Sequence, residues 1–537
     1  MIRSRMPIYL TVITAMAILI GGDSGADAPK VQGVVFEDRD GTGEQAPDEP
    51  GIPGVLVSNQ FAVTITDANG RYELPAREES FIYVHKPAGY ALPLDEYNLP
   101  QFYYLHQPDG SPDFLESPGV EPTGPLPGRL DFPLRPKSPA HTFDILSIAD
   151  PQVRTMEHVH QYREDVVSEL AGSDADFALI LGDLVGDLNL CGPYKEATAF
   201  LGITVFNVPG NHELNYEAPD NRHSLETYKR YFGPQYYSFT WGSTHFIVLD
   251  SMDWSYHEDH DRNLCFGMVD DTQKEWLTNL LEYLPKSDQI VLASHIPFVS
   301  VVGDGGGFVI NNREEILALF ENHKRVLALA GHHHTIEHSF GSPDFGWTGD
   351  GDFHQILSGA ASGSWWSGPT DLRGIASRVM GDGTPPGYHR IRFSEEGYTE
   401  RYLAFGHHPD YQMRIIAPHW DPTEESSDDV VVNVFNGHSG WTIEWSLNGG
   451  EFASMHQEEP MIEPWVTALH KSRPDEFPEW IQNLLQERVW QTQHIWSASL
   501  PNDLETGLHD LRVRAADPYG NTFKAVRLFE RVSENAE

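Results

Sequence analysis

The sequence predicts a layered α/β core carried between two β-sandwiches, an α/β (α+β) chain of three folded segments. Short β-type runs separated by turn residues occupy both ends, and apolar runs alternating with helical periodicity occupy the middle. The 47 Gly and 38 Pro among 537 residues imply many turns and exclude a helical bundle. At about 150 residues per domain the length suits three or four units. Hydrophobic residues make up 40% and charged residues 21%, with 13 Trp, 21 Tyr and 27 Phe, enough to bury cores. The formal net charge of −43 disfavours bulk binding to nucleic acid or an anionic membrane. Any phosphate binding must therefore be local.

Residues 1–28 read as a secretory signal peptide: Arg3 and Arg5 precede an apolar run from Ile8 to Ile20, and Ala26-Asp27-Ala28 offers a small-residue cleavage site. The expected location is exported: periplasmic, extracellular or cell-surface. The run is short of the roughly 20 apolar residues of a spanning helix, so no stable membrane span is expected. Residues 29–136 carry strand-like runs at Val31–Phe36, Val55–Ser58, Ala62–Thr66 and Phe81–Val84, which read as a β-sandwich. The stretch from Gly33 to Gly54, with its acidic turn Asp38-Arg-Asp40 and Glu49, resembles the B-type Ig-like repeats of bacterial surface adhesins. Such repeats can bind calcium, and Asp38, Asp40 and Glu49 could do so here; the alternative is an ordinary solvated turn. A Pro-rich linker from Glu116 to Pro139 follows.

In residues 140–405 strands are expected at Phe143–Ala149, Phe177–Leu181, Thr204–Val208, Phe246–Leu249, Ile290–Ala293 and Val326–Ala330. Helices are expected at Glu157–Leu170, at Gln273–Leu284 behind Asp270 or Asp271, and at Arg313–Glu321 behind Asn311 or Asn312. After a link near 406–425, the segment 411–535 is again β-rich, with runs at Val430–Phe435, Trp441–Ser446 and Leu511–Ala515 and one inserted helix over Glu479–Trp490. Only Cys191 and Cys265 occur. In an oxidising compartment they could pair, or remain as two buried thiols.

The informative pattern is where polar residues fall in the middle segment. Asp150-Pro-Gln152 follows the first strand run, Gly182-Asp183 the second and Gly210-Asn211-His212-Glu213 the third, with Ser294-His295 and Gly331-His332-His333-His334 after later ones. In open α/β sheets the carboxyl ends of strands converge on one rim, so these residues would meet in one site. Asp150, Gln152, Asp183, Asn211, His295, His332 and His334 form an oxygen and imidazole set suited to Mn, Fe or Zn, without thiolates. Seven donors over-supply one tetrahedral ion, whereas a carboxylate bridging two ions about 3.5–4 Å apart would use them all.

These blocks, in this order, resemble the calcineurin-like metallophosphoesterases, whose pattern is D-x-H, G-D, G-N-H-[DE], a lone His and G-H-x-H. Ser362-Gly-Ser-Trp-Trp-Ser-Gly368 and Asp382-Gly-Thr-Pro-Pro-Gly-Tyr388 resemble a bacterial subgroup with extra N- and C-terminal β domains. The resemblance implies a four-layer α/β/β/α core. It implies one metal on Asp150, Gln152 and His334, a second on Asn211, His295 and His332, and Asp183 between them. It casts His212 as the catalytic histidine, able to protonate the leaving oxygen, with Glu213 orienting it. The implied reaction is hydrolysis of phosphate esters by attack of a metal-bridged hydroxide, with diesters preferred to monoesters because a leaving-group acid helps poor leaving groups. Gln152 stands where the family usually has His. An amide oxygen is a neutral, harder ligand, although related subgroups carry Asp-Pro-Gln. Asp187 lies one position late for a ligand.

Around this set, Asn211, Trp365, Trp366, Arg222 and His223 are candidate substrate contacts. Trp365 and Trp366 could wall the pocket or pack into the core. His333, the middle of its motif, reads as structural, and His257-Glu-Asp-His260 as a solvated loop rather than a lid or third site. The partner expected is a small phosphorylated substrate; oligomeric state is not legible. The rival reading is a non-catalytic extracellular binding protein whose middle domain is a relic.

Overall fold

The computed structural model describes residues 29–258, 260–417, 429–481 and 491–531. The expected signal peptide and most of the inserted helix fall outside them.

The core strands arise where β-branched and aromatic runs can be buried on both faces. Phe143–Ile148, Phe177–Ile180 and Thr204–Asn207 pair in parallel and are buried almost throughout. They make three strands of a five-stranded sheet whose other edge is the antiparallel hairpin Gly387–Ser394 and Gly397–Ala404. A second, six-stranded sheet holds Thr244–Val248, Gln289–Ala293, Arg325–Ala330 and Asp352–Ser358 in parallel, closed at its edges by antiparallel Tyr237–Trp241 and Ile336–Phe340. The sheets face each other across aromatic rings: Phe206 stacks on Phe239 at 3.9 Å, and Phe143 meets Phe246 edge-on at 6.2 Å. Helices cover the outer faces, giving the α/β/β/α layering that the resemblance implies.

The expected helix from Glu157 runs from Met156 to Leu170, capped by Thr155 and interrupted by a π-helical stretch at Tyr162–Val167. Asp270 caps Asp271–Leu281 through the Gln273 N–H. Five β-strands of the core had no expectation in the sequence: Tyr237–Trp241, Ile336–Phe340, Asp352–Ser358 and the hairpin 387–404. The two cysteines are free: Cys191 is buried at a helix start, and Cys265 lies in the hairpin Met252–His257/Arg262–Gly267, far in sequence and not bonded.

The N-terminal segment is two four-stranded sheets, and its apolar residues join the same continuous core as the catalytic layers. The seam is polar as well: His85 bonds Ser238 Oγ and Thr240 Oγ1 at 2.7 Å each, and Trp276 donates to Tyr83 Oη at 3.1 Å. The C-terminal segment is again two four-stranded sheets, but with a core cluster of its own. It meets the catalytic layers through polar pairs, with Asn433 donating to Asp382 O at 2.9 Å and His494 3.2 Å from the Asp382 carboxylate, and through small apolar clusters that join Phe435 to Ile336, Met380 and Tyr402 and Val466 to Val379. Among the described residues no helix is long and apolar enough to cross a membrane.

Within the C-terminal segment Glu463 caps the helix Pro464–Ser472 by accepting from Val466 N–H, fully buried. Burial pushes its carboxyl up to about 7, against the pull of that N–H. The folded chain therefore holds this proton longer than the unfolded chain. The stabilisation is complete below the unfolded pKa near 4.3 and is lost as pH rises through 7. Glu463→Gln keeps the cap acceptor without the titration. Urea midpoints measured between pH 4.5 and 7.5 should decline less in this variant than in the parent.

Candidate metal centre

Each expected ligand sits just past the carboxyl end of a parallel strand, and the chain turns there abruptly. Asp150, Gln152, Asp183, His332 and His334 all adopt positive φ, between 42° and 79°. Non-glycine residues rarely do so, and such strain persists where the surroundings over-determine it, commonly at functional sites. The glycines of the motifs have a matching reason. A Cβ at Gly210 would lie 2.1 Å from the Asp183 backbone nitrogen, and one at Gly331 would lie 2.4 Å from Asp150 Oδ2.

The seven side chains converge in two groups around Asp183. Its Oδ1 is 3.2 Å from His295 Nε2, which in turn is 3.1 Å from Asn211 Oδ1 and 3.2 Å from His332 Nδ1. Its Oδ2 faces the other group, accepting from Gln152 Nε2 at 2.9 Å, while His334 Nε2 lies 3.5 Å from Asp150 Oδ1. Backbone carbonyls fix the imidazoles from behind. His295 Nδ1 bonds Leu181 O at 2.8 Å, His332 Nε2 bonds Gly307 O at 2.9 Å, and His334 Nδ1 bonds Gly363 O. The remaining nitrogen of each ring is thereby turned to the centre, as outer-shell carbonyls do for metal-ligating histidines.

Burial and the close pair of carboxyl groups set the protonation of this cluster. Burial raises the Asp150 carboxyl well above its usual range, and the neighbouring Asp183 charge adds to this. Burial opposes ionisation of Asp183 too, but the surrounding imidazoles, His295 first, hold it far below the usual range. The same pair lifts His295 to about 9 against its own burial, while burial drives His334 down to about 3. The residues fit a cation: Gln152 Oε1 is buried with no partner among the described residues, and turning the amide over would present it to the centre. Asp150, Asp183 and His295 alone place ligand atoms within 4.8 Å of one another.

His212 sits on the short turn Asn211–Glu213, its backbone N–H on Asp183 Oδ1 at 3.0 Å and its Nε2 3.9 Å from Asp183 Oδ2. It opens onto a cleft of about 790 Å³ shared with Arg154, Asp187, Asn189 and Tyr216, and with Glu116 and Ser117 from the N-terminal linker. Glu213 does not meet the His212 ring in a hydrogen bond. Its oxygens accept from Val185 N–H at 3.0 Å and Gly210 N–H at 2.8 Å, so it positions His212 through the backbone. Asp187 spends its carboxylate capping Asn189.

Of the substrate candidates, Asn211 lies in the centre. Trp365 stacks on His334 at 4.1 Å and meets Trp480 of the C-terminal segment at 4.6 Å. Trp366 is core, 5% exposed, with its indole N–H on Pro151 O and Arg378 over its ring. Arg222 pairs with Glu79 and His223 with Asp220, and neither lines the cleft. His333 is structural, bonded to Phe308 O at 2.8 Å. Sequence reading missed Arg154, Tyr216 and the carbonyl of Gly307. The run Gly305-Gly-Gly307 was the one available signal for a backbone brought close to a ligand.

Family models for calcineurin-like phosphoesterases match along most of the length: an N-terminal model at residues 39–115, the phosphoesterase model at 143–335 and a C-terminal model at 356–523. The chain belongs to the calcineurin-like phosphoesterases. Two relatives, the uncharacterized proteins MT2654 and Rv2577 of Mycobacterium tuberculosis strains CDC 1551 and H37Rv, are each 30% identical over 144 residues, 24% of this chain. That match spans 27% of each relative's length. A purple acid phosphatase from yellow lupin (Lupinus luteus) seeds is similar at 12% identity and a TM-score of 0.36, covering 66% of this chain and 67% of its own.

If backbone approach at Gly331 shapes the centre, Gly331→Ala should displace the Asp150 carboxylate. Elemental analysis should find the variant folded but with bound transition metal cut at least severalfold; unchanged metal content would count against this role.

Proposed function

We propose that this calcineurin-like phosphoesterase is an exported enzyme with a dinuclear centre that hydrolyses phosphate esters, diesters in preference to monoesters. The observation that carries the reading is Asp183, whose two oxygens face two separate donor groups. Asp150, Gln152 and His334 would hold one ion and Asn211, His295 and His332 the other, Mn, Fe or Zn by donor type. Bound there, the ions would neutralise phosphate charge and lower the pKa of a water nucleophile.

The chain's own residues do the rest. His212 faces the cleft beside Asp183, in place to give a proton to the leaving oxygen, worth typically 10²–10⁴-fold. Poor leaving groups gain most from such an acid, which favours diesters. Glu213 and Gly210 hold the turn under His212, and Trp365 keeps the His334 ring in place by stacking. Arg154 shares the cleft with Glu116, Asp187 and Glu217, so attraction of an anion would rest on the bound ions with Arg154 beside them. The signal-like segment 1–28 supports export.

In the N-terminal segment Asp38, Asp40 and Glu49 come within 4.8 Å of one another, and we assign calcium as their ligand. The rival relic reading predicts a chain that purifies nearly metal-free. Hydrolysis of bis-p-nitrophenyl phosphate and p-nitrophenyl phosphate, by protein stripped and then restored with Mn²⁺, Fe²⁺ or Zn²⁺, tests the proposal. Asp183→Ala and His212→Ala should each lower turnover by at least about 10²-fold, but only Asp183→Ala should lose metal. Full rate in His212→Ala would overturn the acid assignment, and activity without metal would overturn the metal role.

A further inference from the structure

A second cluster of ligand-type residues lies away from the cleft, where three parts of the chain meet. His338 comes from Ile336–Phe340, the edge strand of the six-stranded sheet, and Glu400 from Gly397–Ala404, the edge strand of the five-stranded sheet. His438 comes from the turn after Asp429–Val434 in the C-terminal segment. All three are buried, and one ligand atom of each lies within 4.8 Å of the others.

The surrounding hydrogen bonds account for most of this cluster and leave a defined gap. His338 bonds His354 Nε2 at 2.9 Å and Asn436 Oδ1 at 2.9 Å; the same Asn436 oxygen takes His389 Nε2 at 2.8 Å. Asn436 donates to Glu400 Oε2 at 2.7 Å. His438 Nδ1 accepts from Gly440 N–H, so a cation at Nε2 takes the other tautomer, with the proton moved to Nδ1 and that contact given up. Glu400 Oε1 is buried with no partner among the described residues, and neither Arg nor Lys pairs with this carboxylate there. Burial pushes the Glu400 carboxyl up to about 8 with one amide holding it, and the same burial keeps the four imidazoles neutral, so no positive charge beside it favours the ionised form. A divalent cation would supply what is missing. Donors at about 2.0–2.1 Å from zinc stand about 3.4 Å apart in a tetrahedron, so side-chain shifts of little more than an ångström would close the set. Surface hollows on both sides of His438 give access.

We propose that His338, Glu400 and His438 form a separate mononuclear site for a borderline transition-metal cation such as Zn²⁺, clamping the C-terminal segment to both sheets of the core. Ligands from three elements that meet only in the folded chain make such an ion a cross-link, so its removal should loosen this seam rather than stop hydrolysis.

Full-length Asp183→Ala protein, stripped with chelator, given excess Zn²⁺ and desalted, tests this. It should retain about one zinc per chain, and its thermal midpoint should rise by several degrees on zinc addition. Adding His438→Gln or His338→Gln should remove both the zinc and the rise. Equal zinc in the single and double variants, or none in Asp183→Ala, would overturn the proposal. Should a double variant fail to fold, anomalous scattering at the zinc edge from crystals of the unaltered chain decides: a peak among the three side chains upholds the site, and its absence at full zinc loading overturns it. Zinc that survives Asp183→Ala but not His438→Gln, with no other metal bound, would uphold this site while failing the dinuclear reading.

Discussion

Two buried carboxylates and three imidazoles gathered around one point is an arrangement no chain adopts for stability. Asp150 and Asp183 are both fully buried, and their charges oppose each other. Much of the core exists to hold them there. The strand ends must stop on one rim, the backbone must turn through left-handed conformations at five of the ligands, and glycines must stand where neighbouring chain passes closest. Carbonyls from 181, 307 and 363 then face the rings so that each imidazole presents one nitrogen inward. Cation binding relieves the cost, which couples metal loading to the integrity of the rim.

The flanking sandwiches relate to this centre in different ways. The N-terminal one shares the continuous apolar core and sends Glu116 and Ser117 of its linker to the cleft beside His212. The C-terminal one keeps its own core, touches the catalytic layers through polar pairs and small apolar clusters around Phe435 and Val466, and places Trp480 against Trp365. Where that seam is built of buried His, Asn and Glu it is specific in geometry but depends on every partner being satisfied. That dependence is why the unpartnered oxygen of Glu400 carries weight.

Much of the core was legible in advance, because fully buried strands leave continuous apolar runs and the residues after them stand out by polarity. Six strand expectations lie within one or two residues of the observed elements, and all seven ligand candidates come together. What escaped were strands such as Gly387–Ser394, whose alternating Tyr, His and Arg do not read as a buried run, and edge strands such as Ile336–Phe340, whose polar residues face other polar residues. Arg222 and His223 looked like contacts through their nearness to the Gly-Asn-His-Glu block, yet their turn faces the N-terminal segment.

The sequence by itself determined the chemistry of the centre: which residue types end which strands, in which order, and hence a hard oxygen and imidazole donor set. Local pattern suffices there because each ligand follows its own strand directly. Tertiary structure alone decided what those residues share space with. Of two adjacent tryptophans one packs inward and the other stacks on a ligand, and Glu213 reaches backbone rather than the ring beside it. Four histidines and a glutamate spread over a hundred residues meet at one seam, since contacts between sheet edges and a separate domain follow from packing, which leaves no spacing rule in the chain.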